Sequence, residues 1–163
     1  PETIRRMILL NILALTDLTR LVLPSMLKCG SGRILNVAST AAFAPGPLMA
    51  VYYATKAYVL SFSDALANEL EGSGVTVTCL CPGPTRTAFQ QRAGTRFSPK
   101  VKNVIMDAAP VAEAGYRGML RGQKTVIPGV RNRILVAIAA FTPRHLAAQL
   151  IRRMQEDKRQ QGQ

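Results

Sequence analysis

Histidine occurs once in this sequence, at His145, and no cysteine pair has C-x-x-C spacing. A structural zinc centre is excluded on that ground, since it needs four closely spaced nitrogen or sulfur ligands. The cysteines are few and odd in number (Cys29, Cys79, Cys81), and two of them fall in an apolar run. Such usage suits buried thiols in a reducing compartment rather than a disulfide scaffold. Tryptophan is absent and aromatic residues make up only 6% of the chain. The longest early apolar run, Met7 to Leu15, contains Asn11 and soon meets Asp17 and Arg20. It is too short to span a bilayer, and no small-residue cleavage site follows it, so no secretory leader is expected.

Acidic residues are scarce as well: nine, against 21 Lys/Arg, for a net charge of +12. The excess is local. From Arg117 onward ten basic residues face only Glu156 and Asp157, and that segment carries +8. A basic amphipathic end of this kind reads as a solvated helix face or as a peripheral contact with an anionic membrane. Nucleic acid is not expected as a partner, because the C-terminal part of the chain holds only Tyr116 and Phe141 for base stacking.

What the chain has in quantity is apolar residues, 48% over 163 positions, enough for one domain with a core. Pro1, Glu2 and Thr3 open a helix reaching about Leu27, stopped by Gly30-Ser31-Gly32. "RILNVAS" (33–39) reads as a buried strand, then a loop holds Pro45-Gly46-Pro47. A helix follows from about Met49 to Leu70, with Phe62, Leu66 and Leu70 on one stripe. "VTVTCLC" (75–81) is a second strand, ended by Pro82-Gly83-Pro84. Residues 85 to about 102 are polar and irregular; helix (111–120), strand (125–128) and a helical end broken at Pro143 complete the pattern. Helix and strand alternate throughout, which predicts an α/β fold with a parallel sheet covered on both faces. Ser39 and Pro82-Gly83 then lie at the carboxyl edge of that sheet, where such folds bind ligands.

At that edge stand two phenols and an ammonium group, Tyr52, Tyr53 and Lys56. Residues three or four apart share a helix face, so spacing alone leaves the two tyrosines tied, and a packed helix start carries the same pattern. A free phenol titrates near pH ~10, and a neighbouring ammonium lowers that value and makes it a better acid–base group. Ser39 could bind a substrate oxygen to which the tyrosine transfers a proton.

Taken together, these residues resemble the short-chain dehydrogenase/reductase family and its Asn…Ser…Tyr-x-x-x-Lys tetrad. Asn11 precedes Ser39 by 28 residues, Tyr52 follows after 13, and Lys56 after four more. "CPGPTRT" (81–87) matches the Pro-Gly-x-x-x-Thr turn that follows. Only Tyr52 satisfies both spacings, which resolves the tie. The resemblance covers residues 1–87 closely and 111 onward more loosely. It implies a Rossmann-like doubly wound sheet, here only its C-terminal strands and helices. It implies Tyr52 as acid/base, Lys56 lowering the Tyr52 pKa and holding the nicotinamide ribose, and Ser39 holding the substrate oxygen. Asn11 would anchor a water leading to Lys56, although an asparagine at a local helix kink is the plainer reading. Pro82, Gly83, Pro84, Thr85 and Thr87 would hold the nicotinamide end.

The cofactor implied is NAD or NADP, with NADP ahead, and the partner a small ketone or secondary alcohol. Ala41, Phe43, Pro45 and Met49 would form an apolar substrate side, with residues 85–122 as the substrate loop. A homo-oligomer and a cytoplasmic location, with peripheral membrane contact, complete the expectation. The division is residues 1–130 as the partial domain and 131–163 as a basic amphipathic tail. No glycine-rich phosphate turn is present: Gly30-x-Gly32 and Gly72-x-Gly74 lead into strands rather than following them. The chain is therefore expected to be the C-terminal part of a longer enzyme. The other expectation is a non-catalytic remnant serving as an interaction module.

Overall fold

The structure is a computed structural model, and it describes residues 2–87 and 105–160, with side chains to 156. Helix α1 (Glu2–Cys29) is continuous but contains a π-helical turn over Leu9–Ala14. It ends where Gly30 takes a left-handed conformation (φ 61°) and the Gly30 and Ser31 amides bond the Leu27 and Met26 carbonyls. That is the glycine-dependent helix stop anticipated from Gly30-Ser31-Gly32. β1 (Gly32–Val37) follows, then a 3-10 turn (Thr40–Phe43) and helix α2 (Ala50–Glu69). Next come β2 (Val75–Leu80), β3 (Thr85–Arg86), β4 (Met106–Asp107), α3 (Ala108–Leu120) and β5 (Thr125–Val126). Helices α4 (Val130–Phe141) and α5 (Arg144–Gln160) complete the described chain.

The main sheet is parallel, in the order β1-β2-β5, with Gly32 opposite Val75 and Val37 opposite Leu80. β2 is the central strand and the driest: Thr78 and Cys79 are wholly buried, as is Cys81 just beyond its end, and Val77 is nearly so. Its two faces explain the layering. Val75 and Val77 pack with Leu66 of α2 and Leu70 just past its end, while Leu80 packs with Val111 of α3 and Val126 of β5. The α/β prediction therefore holds, and the expected third strand is present in shortened form. The parallel pair β3–β4 was not anticipated; it lies partly in the stretch read as irregular.

α2 meets the sheet through Thr55, Val59, Ser63 and Leu66, at helical spacing of three and four. Two of these are polar, and burying a hydroxyl without a partner would cost about 1–3 kcal/mol. Both are satisfied: Asn36 Nδ2 donates to Ser63 Oγ at 2.9 Å, and Asn11 Nδ2 to Thr55 Oγ1 at 3.1 Å. The Asn11–Thr55 bond and the Thr16–Tyr58 hydroxyl pair at 2.7 Å fix the α1–α2 register. α1 as a whole is long and apolar enough to cross a membrane by length and composition, which the short run Met7–Leu15 did not suggest. Its outer face leaves Leu10, Leu13, Leu18 and Leu21 exposed.

Candidate active site

Ser39 owes its place to the parallel ladder continuing past the strand ends. The Ala38 amide bonds Leu80 O at 2.8 Å and the Thr40 amide bonds Pro82 O at 2.9 Å, so Ser39 is clamped at the carboxyl edge. Its Oγ accepts from the Ala41 amide at 3.1 Å, capping the 3-10 turn, and leans on Pro82 O at 3.4 Å. Tyr52, on the first turns of α2, hydrogen-bonds Ser39. Two strand ends and one helix thus bring two hydroxyls together where the topology places a ligand.

The ionisation of this pair differs from the expectation. Burial raises the Tyr52 phenol above its ordinary range, and the Ser39 bond offsets this only in part. Lys56 is half-buried and its Nζ donates to Val37 O at 3.0 Å. Burial lowers its pKa, partly opposed by Cys79 and Cys81. The net lowering of the Tyr52 pKa anticipated from Lys56 is thus corrected: desolvation dominates, moving the phenol up and the ammonium down from their ordinary values.

Tyr53 does a different job. Its ring stands edge-on to Tyr52 with centroids 6.0 Å apart, and it covers Gly46, where any Cβ would collide with it. Its hydroxyl is bonded by Gln155 of α5. Asn11 lies inside the π-helical turn of α1 and reaches Thr55, whose Oγ1 donates to Tyr52 O at 2.9 Å. Asn11 therefore bonds the residue beside Lys56 rather than Lys56 itself. It lies at an irregular helical turn, yet its side chain bonds across to α2 rather than to its own helix, and widened turns of this kind recur at functional sites.

The turn after β2 is held from several sides. Thr85 Oγ1 donates to Gly83 O at 2.9 Å, and the Met106 amide takes Pro84 O at 3.0 Å. Thr87 is exposed. Of the apolar residues expected to face substrate, Ala41, Pro45 and Met49 are half-buried around the 3-10 turn. Phe43 instead packs against Ala38, Val59, Cys79 and Cys81, as part of the core. Residues 88–104 of the anticipated substrate loop (85–122) lie outside the described residues.

One residue at this edge was missed. Asn132 of α4 is 2% exposed; its Nδ2 donates to Pro128 O at 2.7 Å and meets Met106 Sδ at 3.6 Å. Its carboxamide fills the space beside Gly83, where a Cβ would collide with it. A single buried amide thus joins the 82–87 turn, β4 and the start of α4. The signal was available, since Asn132 shares the buried face of α4 with Val136.

A dinucleotide fits this edge in part. Tyr52, Lys56 and the 82–87 turn suit a nicotinamide and its ribose. Gly30 and Gly74, by contrast, close against each other at the amino ends of β1 and β2. They bend the chain at the opposite edge and are no cradle for a pyrophosphate. A cleft of about 320 Å³ lined by Leu70, Glu71, Gly74 and Lys124 lies at that amino edge too, away from Ser39.

The model of the short chain dehydrogenase family matches residues 1–96. The very-long-chain 3-oxoacyl-CoA reductase of Rattus norvegicus is 42% identical over 108 residues, covering 66% of this chain and 35% of that protein. Among solved structures, a short-chain dehydrogenase from Sphingobium yanoikuyae in complex with NADPH is 34% identical with a TM-score of 0.69. That match covers 85% of this chain and 55% of the other. A 3-ketoacyl-(acyl-carrier-protein) reductase from Brucella melitensis complexed with NADH is 27% identical with a TM-score of 0.68, covering 81% and 59%. The chain spans little more than a third of the length of the curated relatives it matches.

Proposed function

The chain belongs to the short-chain dehydrogenase family, and from that premise we propose that it forms the catalytic edge of an NAD(P)-dependent oxidoreductase interconverting a ketone and a secondary alcohol. The observation that carries this reading is the Ser39–Tyr52 hydroxyl pair at the carboxyl edge of a parallel sheet, one helical turn from Lys56. Residues 1–130 supply most of this edge, and Asn132, within the basic tail 131–163, backs the 82–87 turn.

In the reduction, the substrate oxygen accepts hydrogen bonds from Ser39 and Tyr52. Tyr52, Lys56 and the 82–87 turn would hold a nicotinamide, which would supply the hydride for the carbonyl carbon. Negative charge then develops on the oxygen, and the Ser39 hydroxyl stabilises it because it is already oriented by the Ala41 amide. Tyr52 gives its proton to that oxygen, completing the alcohol. The raised phenol pKa keeps this proton in place at neutral pH, and the resulting phenolate is what a charged Lys56 would stabilise. Oxidation runs the same steps in reverse, with Tyr52 as base. Asn11 would hold a water that returns the proton through Lys56.

An acyl-chain ketone is the substrate class favoured, by likeness to the 3-oxoacyl reductases and by the apolar Ala41, Pro45 and Met49. The reading sets NADPH ahead of NADH, and the Sphingobium neighbour in complex with NADPH supports it. A homo-oligomer and a cytoplasmic location belong to the same reading, and three unpaired cysteines support a reducing compartment. The test is a substrate series run on the full-length gene product with NADPH and NADH. Medium- and long-chain 3-oxoacyl thioesters should be reduced with higher kcat/KM than short ketones. Absence of turnover with every ketone and both cofactors would instead support the non-catalytic interaction module.

A further inference from the structure

Helix α4 is buried along Asn132 and Val136 and turns the opposite side outward. On that outward side stand Val130 (69% exposed), Ile134, Leu135, Ile138 and Phe141 (91% exposed). They recur at three, four or five residues, as one helical stripe. α5 continues the pattern with exposed Leu146, Leu150 and Met154, again four apart. Exposed apolar residues scattered singly need no explanation, but a contiguous stripe across two consecutive helices marks a contact surface.

Charge identifies the kind of surface that fits. From Val130 to Gln155 there is no Asp or Glu, while Arg131, Arg133, Arg144, Arg152 and Arg153 are all present and exposed. The first acid, Glu156, is engaged by Arg152 at 2.8 Å. An apolar stripe flanked by cations alone is complementary to a bilayer interface, with acyl chains below and anionic headgroups at the rim. Nucleic acid would want cations along a groove and stacking rings, and the stripe offers Phe141 alone.

We propose that α4 and α5 form a peripheral seat on an anionic lipid surface. α4 inserts Ile134, Ile138 and Phe141 to the headgroup–acyl boundary, and Arg144 and Arg153 meet the headgroups. α4 also packs beside the Thr40–Phe43 turn, so the seat adjoins the catalytic edge. The seat is independent of the reaction, and its test does not use turnover.

The test is co-sedimentation of the full-length gene product with vesicles of phosphatidylcholine, or of equimolar phosphatidylcholine and phosphatidylserine. Binding to the anionic vesicles is expected, and it should weaken when the salt is raised to about 1 M, where the screening length falls to about 3 Å. Ile134→Ser, Ile138→Ser and Phe141→Ser combined should reduce partitioning by roughly 100-fold, since each removes a large apolar side chain from the interface. Arg144→Gln with Arg153→Gln should reduce it by about tenfold or more. Leu10→Ser with Leu21→Ser, on the exposed face of α1, should leave it unchanged. Circular dichroism checks that each variant folds. The proposal is overturned if neither vesicle is bound, if both are bound equally, or if the α1 variant abolishes binding. It is equally overturned if the triple variant binds normally, or if that variant breaks up an oligomer in vesicle-free solution, which would make the stripe a contact between copies.

Discussion

Replacing Tyr52 with Phe removes one oxygen and leaves the ring that packs edge-on against Tyr53. The hydroxyl's bond to Ser39 is lost, but Ser39 Oγ keeps the Ala41 amide at 3.1 Å and Pro82 O at 3.4 Å. Ser39 is therefore not orphaned, and the stability cost should be the net worth of one hydrogen bond, about 0.5–1.5 kcal/mol. Removing a buried hydroxyl also relieves desolvation, which brings the expected cost to the lower end of that range. Turnover should suffer far more, because the proton donor is gone: a loss of roughly 10²- to 10⁴-fold in kcat is the usual worth of general acid–base catalysis. The assay is steady-state oxidation of NADPH by the full-length gene product with a 3-oxoacyl thioester, beside a denaturant melt of each variant. Tyr53→Phe is the internal control. It loses only the bond from Gln155 and should keep kcat within about twofold, since its ring still covers Gly46. A Tyr52→Phe enzyme with normal kcat would refute the reasoning, as would a Tyr53→Phe enzyme that had lost its turnover.

Lys56→Met should lower kcat by roughly 10- to 100-fold by removing the cation available to the Tyr52 phenolate. It should leave thermal stability unchanged or slightly higher, because burial already disfavours the Lys56 charge; a large loss of stability with normal kcat would contradict this. Asn132→Ala leaves Pro128 O without its buried donor and should cost about 1–3 kcal/mol. It should raise the dissociation constant for NADPH, since the 82–87 turn loses its backing at Gly83, whereas a stability loss with unchanged cofactor affinity would make Asn132 purely structural. The tyrosines set the alkaline limit. Unfolded phenols lose their protons near the ordinary 10.0, while native Tyr52 and Tyr53 keep theirs to higher pH, so stability falls as pH rises beyond 10.0. Lys56 acts in the opposite sense below its ordinary 10.5, where the unfolded chain binds the proton that the native state releases. Denaturant melts across the alkaline range should show a decline that is shallower in the Tyr52→Phe, Tyr53→Phe double variant, and an unchanged decline would count against the burial of the two phenols.

Much of this was legible before any coordinates. "RILNVAS" and "VTVTCLC" are β-branched apolar runs bounded by Gly and Pro, and each became a strand of the main sheet. Ser39 was legible because the strand ended there, and its clamp by Pro82 O follows from β1 and β2 pairing in parallel. β3 and β4 were not legible: two-residue strands pair because their ends are brought together, not because of any local pattern. The π-helical turn at Asn11 likewise leaves no periodic trace, since one widened turn shifts the apolar stripe too little to read. The direction of the Tyr52 pKa was misjudged because spacing reports proximity to Lys56 but not burial, and burial proved the larger effect. Asn132 was overlooked because its partners Gly83, Met106 and Pro128 come from three separate segments.

The central claim is that the Ser39–Tyr52 edge receives a hydride on a carbonyl carbon and a proton on its oxygen. The most direct measurement supplies the full-length gene product with reduced nicotinamide cofactor carrying deuterium at the transferable position of C4, together with a 3-oxoacyl thioester. Mass spectrometry of the product should find one deuterium on the carbinol carbon, and its formation should collapse in Tyr52→Phe. An alcohol without deuterium, or none formed while the deuterated cofactor stays intact, would contradict the account.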